Sequence, residues 1–284
     1  MKLSFDESGN LREMFNPVAN ERTFIKQNFC LYSSFTGNNS EPRFTASGAY
    51  IFRPISNTPE CLSVAKYTVY RGEQFDEVQQ TYSDWISQSI RLYSDSKHVE
   101  FNWQVGPIDV SDGDGKEVVV KFASDLESQS TFYTDSNGRE VLRRVRDFRP
   151  TWTLNQTEDV AGNYYPINSR IFLRDEKQQT QLTLVTDRSQ GGSSIADGSL
   201  EVMLHRATLS DDALGVGEPI NERGSDGKGL IVKGTLGLFF DSIRSSARLH
   251  RQLAHEINAS PFVLFTNLLG PEISSSENRL SRDR

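Results

Sequence analysis

Histidine and cysteine are scarce in this chain. Four histidines, His98, His205, His250 and His255, and two cysteines, Cys30 and Cys61, stand among 284 residues. A zinc site needs His, Cys or carboxylate ligands converging at about 2 Å, commonly as pairs close in sequence. His255-Glu256 lacks the second histidine of HExxH. His250 and His255 would leave a helix on different faces. The sequence therefore predicts no metal site, no catalytic group on these histidines and no cofactor held by this chain; all four read as surface or satisfied core residues. The cysteines form no CxxC, and either one disulfide or two buried thiols fits them. No apolar run approaches the ~18 residues that span a bilayer, and mean hydropathy is −0.52, so no membrane partner is expected. The opening MKLSFDESGN lacks the apolar stretch of a signal peptide. Positive charge is in deficit, with 31 Lys and Arg against 38 Asp and Glu, net −7. Nucleic acid is excluded as a partner, because phosphate binding needs a cationic face. Gly191-Gly192-Ser193-Ser194 matches neither G-x-S-x-G nor a Walker A loop and reads as a hairpin joint. There is no internal repeat.

What remains is a globular composition, 36% hydrophobic and 24% charged, long enough for one large or two modest domains. The pattern is β almost throughout. Strands are expected at 62–69, 86–93, 99–105, 117–122, 181–186, 200–205 and 230–240. Val99, Phe101, Trp103 and Val105 alternate with Glu100, Asn102 and Gln104, one buried face and one wet face. Leu3–Phe5 and Leu11–Phe15 suggest a hairpin about Ser8-Gly9-Asn10. Asp135-Ser136-Asn137-Gly138 predicts another, since Asn-Gly favours a type I′ turn, and Asp112-Gly113-Asp114-Gly115 is a further turn. Residues 37–43 read as a mobile polar loop and 221–228 as a second loop. One helix is predicted over Ser242–Asn258, capped by Asp241 or Ser242 and stopped by Pro261, with a short strand at Phe262–Phe265. The fold class is all-β: a large two-sheet β-sandwich with one helix near the C-terminus. Residues 1–270 form that region and the polar tail 271–284 is expected to be disordered.

Four strings carry a resemblance. They are Ser47-Gly48-Ala49-Tyr50-Ile51-Phe52-Arg53-Pro54, Phe132-Tyr133-Thr134-Asp135-Ser136-Asn137-Gly138-Arg139, Val160-Ala161-Gly162-Asn163-Tyr164-Tyr165-Pro166 and Asp187-Arg188-Ser189-Gln190-Gly191-Gly192-Ser193-Ser194. In this order and spacing, over about residues 44–222, the chain resembles the C-terminal β region of the class II α-mannosidases, glycoside hydrolase family 38, in its lysosomal branch. The resemblance implies a mutarotase-like supersandwich. It implies a parent enzyme that removes terminal α-mannose from N-glycans with zinc and a carboxylate pair, both on a preceding catalytic barrel absent from this chain. The chain alone is then inactive, its partners are that barrel and mannose-containing glycans, and its parent is lysosomal or secretory.

The resemblance also implies site residues. Tyr50 would reach the mannose pocket, a ring for the sugar's apolar face and a hydroxyl for its polar one. The loop Asp211–Gly217 would approach the same pocket through Asp212 and Leu214, where the family carries arginine at the position of Leu214. Taken alone, Tyr50 reads as a half-buried strand residue and Asp211-Asp212 as a turn, since neighbours on an extended chain point apart. Arg139, Arg143, Arg144, Arg146 and Arg149 read as a solvated strand face or as a docking face for an acidic surface. Asn38, Asn155 and Asn258 head glycosylation sequons. The alternative function is a free-standing carbohydrate-binding module using Trp85, Trp103 or Trp152; a further reading is an inactive truncated product.

Overall fold

The structure is a computed structural model and describes residues 1–259, 263 and 265. In chain order the strands are β1 (Lys2–Phe5), β2 (Leu11–Asn16), β3 (Glu21–Ser33), β4 (Glu60–Cys61), β5 (Lys66–Tyr70), β6 (Phe75–Ser83), β7 (Ile86–Tyr93), β8 (Val99–Val105) and β9 (Lys116–Ser124). There follow β10 (Thr131–Ser136), β11 (Glu140–Val145), β12 (Tyr165–Ile167), β13 (Arg170–Asp175), β14 (Thr180–Thr186), β15 (Gln190–Ser193), β16 (Ser199–Ala207), β17 (Val232–Ser242) and helix α1 (Ile243–Asn258). They form two antiparallel sheets. One has the order β1-β2-β3-β9-β16-β15-β12, with β4 added to β3; the other has the order β11-β10-β13-β14-β17-β8-β7-β6-β5.

The alternation in the sequence sets this packing. Val99, Phe101, Trp103 and Val105 are buried while Glu100, Asn102 and Gln104 are only partly so. Inward rings meet between the sheets: Phe101 of β8 lies edge-on to Phe122 of β9 with centroids 5.3 Å apart, and Phe29 of β3 to Tyr82 of β6 at 4.8 Å. The predicted hairpins form. Asn137 and Gly138 both take positive φ, 52° and 70°, as the turn between β10 and β11 requires. Asp135 anchors it, accepting from the main-chain N–H of Asn168, Ser169 and Arg170 at 2.9, 2.9 and 3.0 Å and of Gly138 at 2.8 Å. Burial raises its pKa, but these bonds outweigh burial and leave it below the usual carboxylate value.

Three expectations change. The strand expected over 62–69 shortens to β5, whose five residues are all exposed. Before it the chain crosses between sheets: Leu62 N–H bonds to Phe29 O and Ala65 N–H to Thr81 O. Residues 37–45 are a closed turn rather than a free loop, with Asn38 and Asn39 N–H both bonding to Phe44 O at 3.0 Å. Three of the five arginines are tied inward, while Arg139 and Arg143 are exposed as a solvated face would have them. Arg144 and Arg149 lie over the Tyr165 ring, 4.2 and 5.2 Å from its centroid, and Arg146 donates to Ser194 O and Ser130 Oγ. Of the expected strand at Phe262–Phe265, only Val263 and Phe265 are described and neither is in a strand; Pro261 and 271–284 lie outside the described residues.

Helix α1 lies on the outer face of the second sheet. Ser242 caps it, its Oγ accepting from Ser245 N–H at 3.2 Å. Leu249, Leu253, Ala254 and Ile257 pack on Val185 and Phe239. Under the helix His250 is 4% exposed, and its Nδ1 has no partner. It is buried as expected of a core histidine, but it is not satisfied. Its ring lies 5.5 Å from Phe172. Burial first, then the guanidinium groups of Arg170, Arg251 and Arg174, lower its pKa from 6.5 to about 4, against a weaker pull from Asp135. The unfolded chain therefore takes up this proton below pH 6.5 and the folded chain only near pH 4. Stability falls across that interval as pH falls, by about 3 kcal/mol at most. Asp135 and Asp175, with lowered pKa values, lose their contribution only at lower pH. His250→Gln is expected to flatten urea-unfolding stability between pH 6.5 and 4.5; an equal fall in both proteins would refute it.

Candidate functional site

Tyr50 sits at the tip of a turn over Ser47–Ile51 and is 65% exposed. It is not the half-buried strand residue that composition alone suggests. Its main chain is held from a distant loop. The Asp212 carboxylate, 1% exposed, accepts on Oδ2 from Tyr50 N–H at 2.6 Å and Ile51 N–H at 3.1 Å. On Oδ1 it accepts from Leu214 N–H at 3.2 Å. One buried carboxylate thus places Tyr50 and Leu214, both largely exposed, on either side of itself. Gly48 makes the approach possible, since a Cβ there would stand 2.7 Å from Asp212 N and 2.8 Å from its carboxylate. Between Asp212 and Leu214, Ala213 holds φ +57°, a strained conformation for alanine. Its N–H bonds to Asp211 Oδ2 at 3.0 Å, and Asn39 Nδ2 donates to Asp211 O at 2.7 Å.

A second set of bonds fixes the turn from below. Arg206 of β16 donates to Ile51 O at 2.8 Å and to Ser47 Oγ at 3.2 Å. Arg206 also pairs with Glu117 of β9, Nε to Oε2 at 2.8 Å, with Glu117 fully buried. The other Glu117 oxygen accepts from Ser34 Oγ at 2.9 Å and from Ser47 Oγ. Beside this network Phe52 stands edge-on to Tyr32 at 5.6 Å and to Tyr164 at 4.8 Å. Both phenols donate to the buried Glu201, which pairs with Lys121 at 3.3 Å. Burial and then the Glu201 charge raise both phenol pKa values, so both remain proton donors. A Cys30–Cys61 disulfide closes the segment that carries the turn, resolving the cysteine alternatives.

The arrangement offers a phenol and an aliphatic side chain on fixed backbone. It offers no acid–base pair: Asp212 is occupied by main-chain amides, and Glu117 and Glu201 are buried and ion-paired. Among the described residues no group of three His, Cys, Asp or Glu could hold a metal ion. His98 meets Ser96 Oγ at 3.0 Å, His205 meets Leu230 O at 3.2 Å, and His255 is exposed on the helix. Of the three tryptophans named for glycan binding, Trp103 is 2% exposed in the core and Trp85 is half-buried against it; only Trp152, 57% exposed, is free. Sequence reasoning missed Glu117 and Arg206, and it singled out Ser47 only as part of the string around Tyr50. A charged pair inside two strand-forming runs was the available signal, but nothing in the local pattern matches one to the other.

The family model described as "Glycosyl hydrolases family 38 C-terminal domain" matches residues 1–214. Lysosomal alpha-mannosidase of Bos taurus is 49% identical over 267 residues, covering 93% of this chain and 26% of that protein. The Homo sapiens protein of the same name is 46% identical over 266 residues, with the same coverage. Alpha-mannosidase of Canavalia ensiformis is 42% identical over 274 residues, covering 94% and 28%. The chain spans about a quarter of the length of these relatives. Among solved structures, an alpha-mannosidase from Enterococcus faecalis V583 superposes with a TM-score of 0.63 at 14% identity, covering 90% of this chain and 30% of that one, which is a likeness of fold.

Proposed function

The chain belongs to the family of glycosyl hydrolase family 38 C-terminal domains, and from that premise we propose that it is the non-catalytic β region of a lysosomal-type α-mannosidase, lining one side of the parent enzyme's mannose pocket. The observation that carries this is Tyr50: an exposed ring on a turn whose main chain is bonded from two other elements, Asp212 on one side and Arg206 on the other. Exposed loop residues are seldom held so firmly, and a site that must orient a ligand needs such support. Asp212 serves as a positioning residue, because its carboxylate is buried; Tyr50 and Leu214 face outward to meet the sugar.

The zinc attributed to the parent has no ligand set among the described residues, and no step passes through it here. The catalytic carboxylates and zinc would belong to the remaining part of the enzyme, the natural partner of this region. The disulfide fits an oxidising compartment, as the lysosomal relatives suggest. No helix among the described residues is long and apolar enough to cross a membrane. A free-standing glycan-binding module is less favoured, because Trp103 is buried.

Two measurements test this reading. The isolated chain is expected to give no turnover of an aryl α-mannoside, with or without added zinc, at acid or neutral pH; turnover above a denatured control would overturn it. In a complete enzyme carrying this region, Tyr50→Phe is expected to lower kcat/KM by roughly 2- to 10-fold, the effect of one hydroxyl bond of about 0.5–1.5 kcal/mol. The melting temperature should hold, since the ring remains. Unchanged kinetics in Tyr50→Phe, with no gain in Leu214→Arg, would place the substrate elsewhere.

A further inference from the structure

Beside helix α1 the outer face of the second sheet carries positive charge with little to balance it. Arg170, Phe172 and Arg174 alternate along β13 and leave it on its outer side, since Ile171 and Leu173 between them lie in the core between the sheets. Tyr133 of β10 stacks on Phe172 with ring centroids 4.8 Å apart. The Arg174 guanidinium lies over both rings, its Cζ 4.8 Å from the Tyr133 centroid and 5.1 Å from that of Phe172. The His250 ring of α1 is 5.5 Å from Phe172. Arg251 follows it on the helix and is exposed. Its charge is felt at both Arg170 and His250.

Several polar groups here are unused. Arg170 is 3% exposed; its terminal nitrogens donate to Ser169 Oγ and Gly138 O, both at 3.2 Å, but its buried Nε has no partner. His250 Nδ1, also buried, has none either. Arg174 donates from Nε to Gln181 Oε1 at 3.0 Å and leaves its terminal nitrogens unbonded, and Arg251 makes no hydrogen bond or ion pair among the described residues. Asp135 is the carboxylate whose charge acts on both Arg170 and His250. It already accepts from the main-chain N–H of Gly138, Asn168, Ser169 and Arg170. Three guanidinium groups against this one carboxylate leave a net charge of +2 while His250 is neutral. Like charges gathered in a part-buried place are unfavourable, and unpaired buried donors add to that. A bound counter-ion removes both penalties at once.

We propose that this cluster binds a small, doubly charged oxyanion, sulfate or phosphate, through Arg170 Nε–H, the unbonded ends of Arg174 and Arg251, and the imidazole of His250. Burial sets the size. Arg170 and His250 are 3% and 4% exposed, so a small ion reaches both and a larger molecule does not. The excess of positive charge sets the valence. Guanidinium groups suit the ligand, because their paired N–H groups match the spacing of oxyanion oxygens. His250 takes up a proton when the ion binds, so that both ring nitrogens become donors. The ion then ties α1 to β13, where the helix otherwise rests mainly on Val185 and Phe239 of the next two strands. The inference does not depend on the mannosidase reading.

The test is made on the full chain, titrated with millimolar sodium sulfate against sodium chloride at matched ionic strength. At such concentrations the general strengthening of apolar burial by sulfate is small. At ten times its Kd, sulfate should raise Tm by about 2–5 °C, the mass-action effect of one bound ion. Chloride should do less. Arg251→Gln, a change at an exposed position, should weaken sulfate binding at least about 10-fold. Arg248→Gln removes the same charge from the same helix, but on the side that faces Ser96 and Lys97, and should leave sulfate binding nearly unchanged. By proton NMR the His250 ring, which titrates near 4 without the ion, should titrate at higher pH with sulfate saturating, since a bound negative charge favours imidazolium. An equal rise with chloride, equal losses in Arg248→Gln and Arg251→Gln, or a His250 titration that sulfate leaves in place would each overturn the site.

Discussion

Cys61→Ser is expected to lower unfolding stability by about 3–4 kcal/mol, the chain-entropy value for a cross-link closing a loop of this length. The bridge spans 31 residues of sequence and joins β4 to β3, where Cys30 and Cys61 are register partners. Without it the unfolded chain gains the freedom of the whole segment that carries Ser47–Ile51. Cys61 is the better position to change. It is exposed, whereas Cys30 is fully buried among Val119, Val160 and Phe52, where a serine hydroxyl would lack a partner. Urea unfolding with and without reductant checks this. The wild-type midpoint should fall on reduction toward that of Cys61→Ser, which reductant should leave unmoved. Equal midpoints for the oxidised wild type and Cys61→Ser would show that the bridge contributes nothing. In Cys61→Ser, limited proteolysis should cut first within 34–60, where the remaining ties include Glu117, Arg206, Asp212, Glu158 and Asp159.

Glu117→Gln should destabilise the fold by about 3–5 kcal/mol, the usual penalty for removing one partner of a buried ion pair. The substitution keeps the shape of the side chain but leaves Arg206, whose side chain is 18% exposed, without its countercharge. It also weakens the bonds from Ser34 and Ser47. The pair itself need not contribute much over an apolar pair of similar size, because burial of both charges is unfavourable. Glu117→Leu combined with Arg206→Met should therefore be less destabilising than the sum of the two single changes. Additive effects in that cycle would mean the two side chains do not interact. If the proposed role of Tyr50 holds, a complete enzyme carrying this region with Glu117→Gln, assayed well below its melting temperature, should also lose kcat/KM, since Arg206 holds Ile51 O beside Tyr50.

Much of this fold was legible from residues close together in the chain. Alternation over Val99–Val105, the Asn137-Gly138 turn and the capped, one-sided helix over 243–258 each rest on interactions within a few residues. Side-chain direction and turn geometry are local properties, so a linear reading recovers them. The same holds in part for the site: the string around Tyr50 and the Gly-spaced loop around Asp212 could be singled out, and the resemblance joined them.

Tertiary structure alone decided the rest. Asp212 reaches Tyr50 across 162 positions and Glu117 reaches Arg206 across 89. Whether a carboxylate meets a sugar, an amide or a guanidinium depends on which strands become neighbours, and alternation reveals a buried face without naming its partner strand. The pairing of Cys30 with Cys61 waited on β4 joining β3. Trp103 illustrates the competing readings: as an aromatic it was a candidate for binding, but as a member of the alternating row it belonged in the core, and the row prevailed because burying an indole between two sheets outweighs displaying it. His250 reversed a bland expectation for a similar reason. The helix is amphipathic in sequence, but which side chain lies beneath it, beside which arginines, is set only when it docks on β13, β14 and β17.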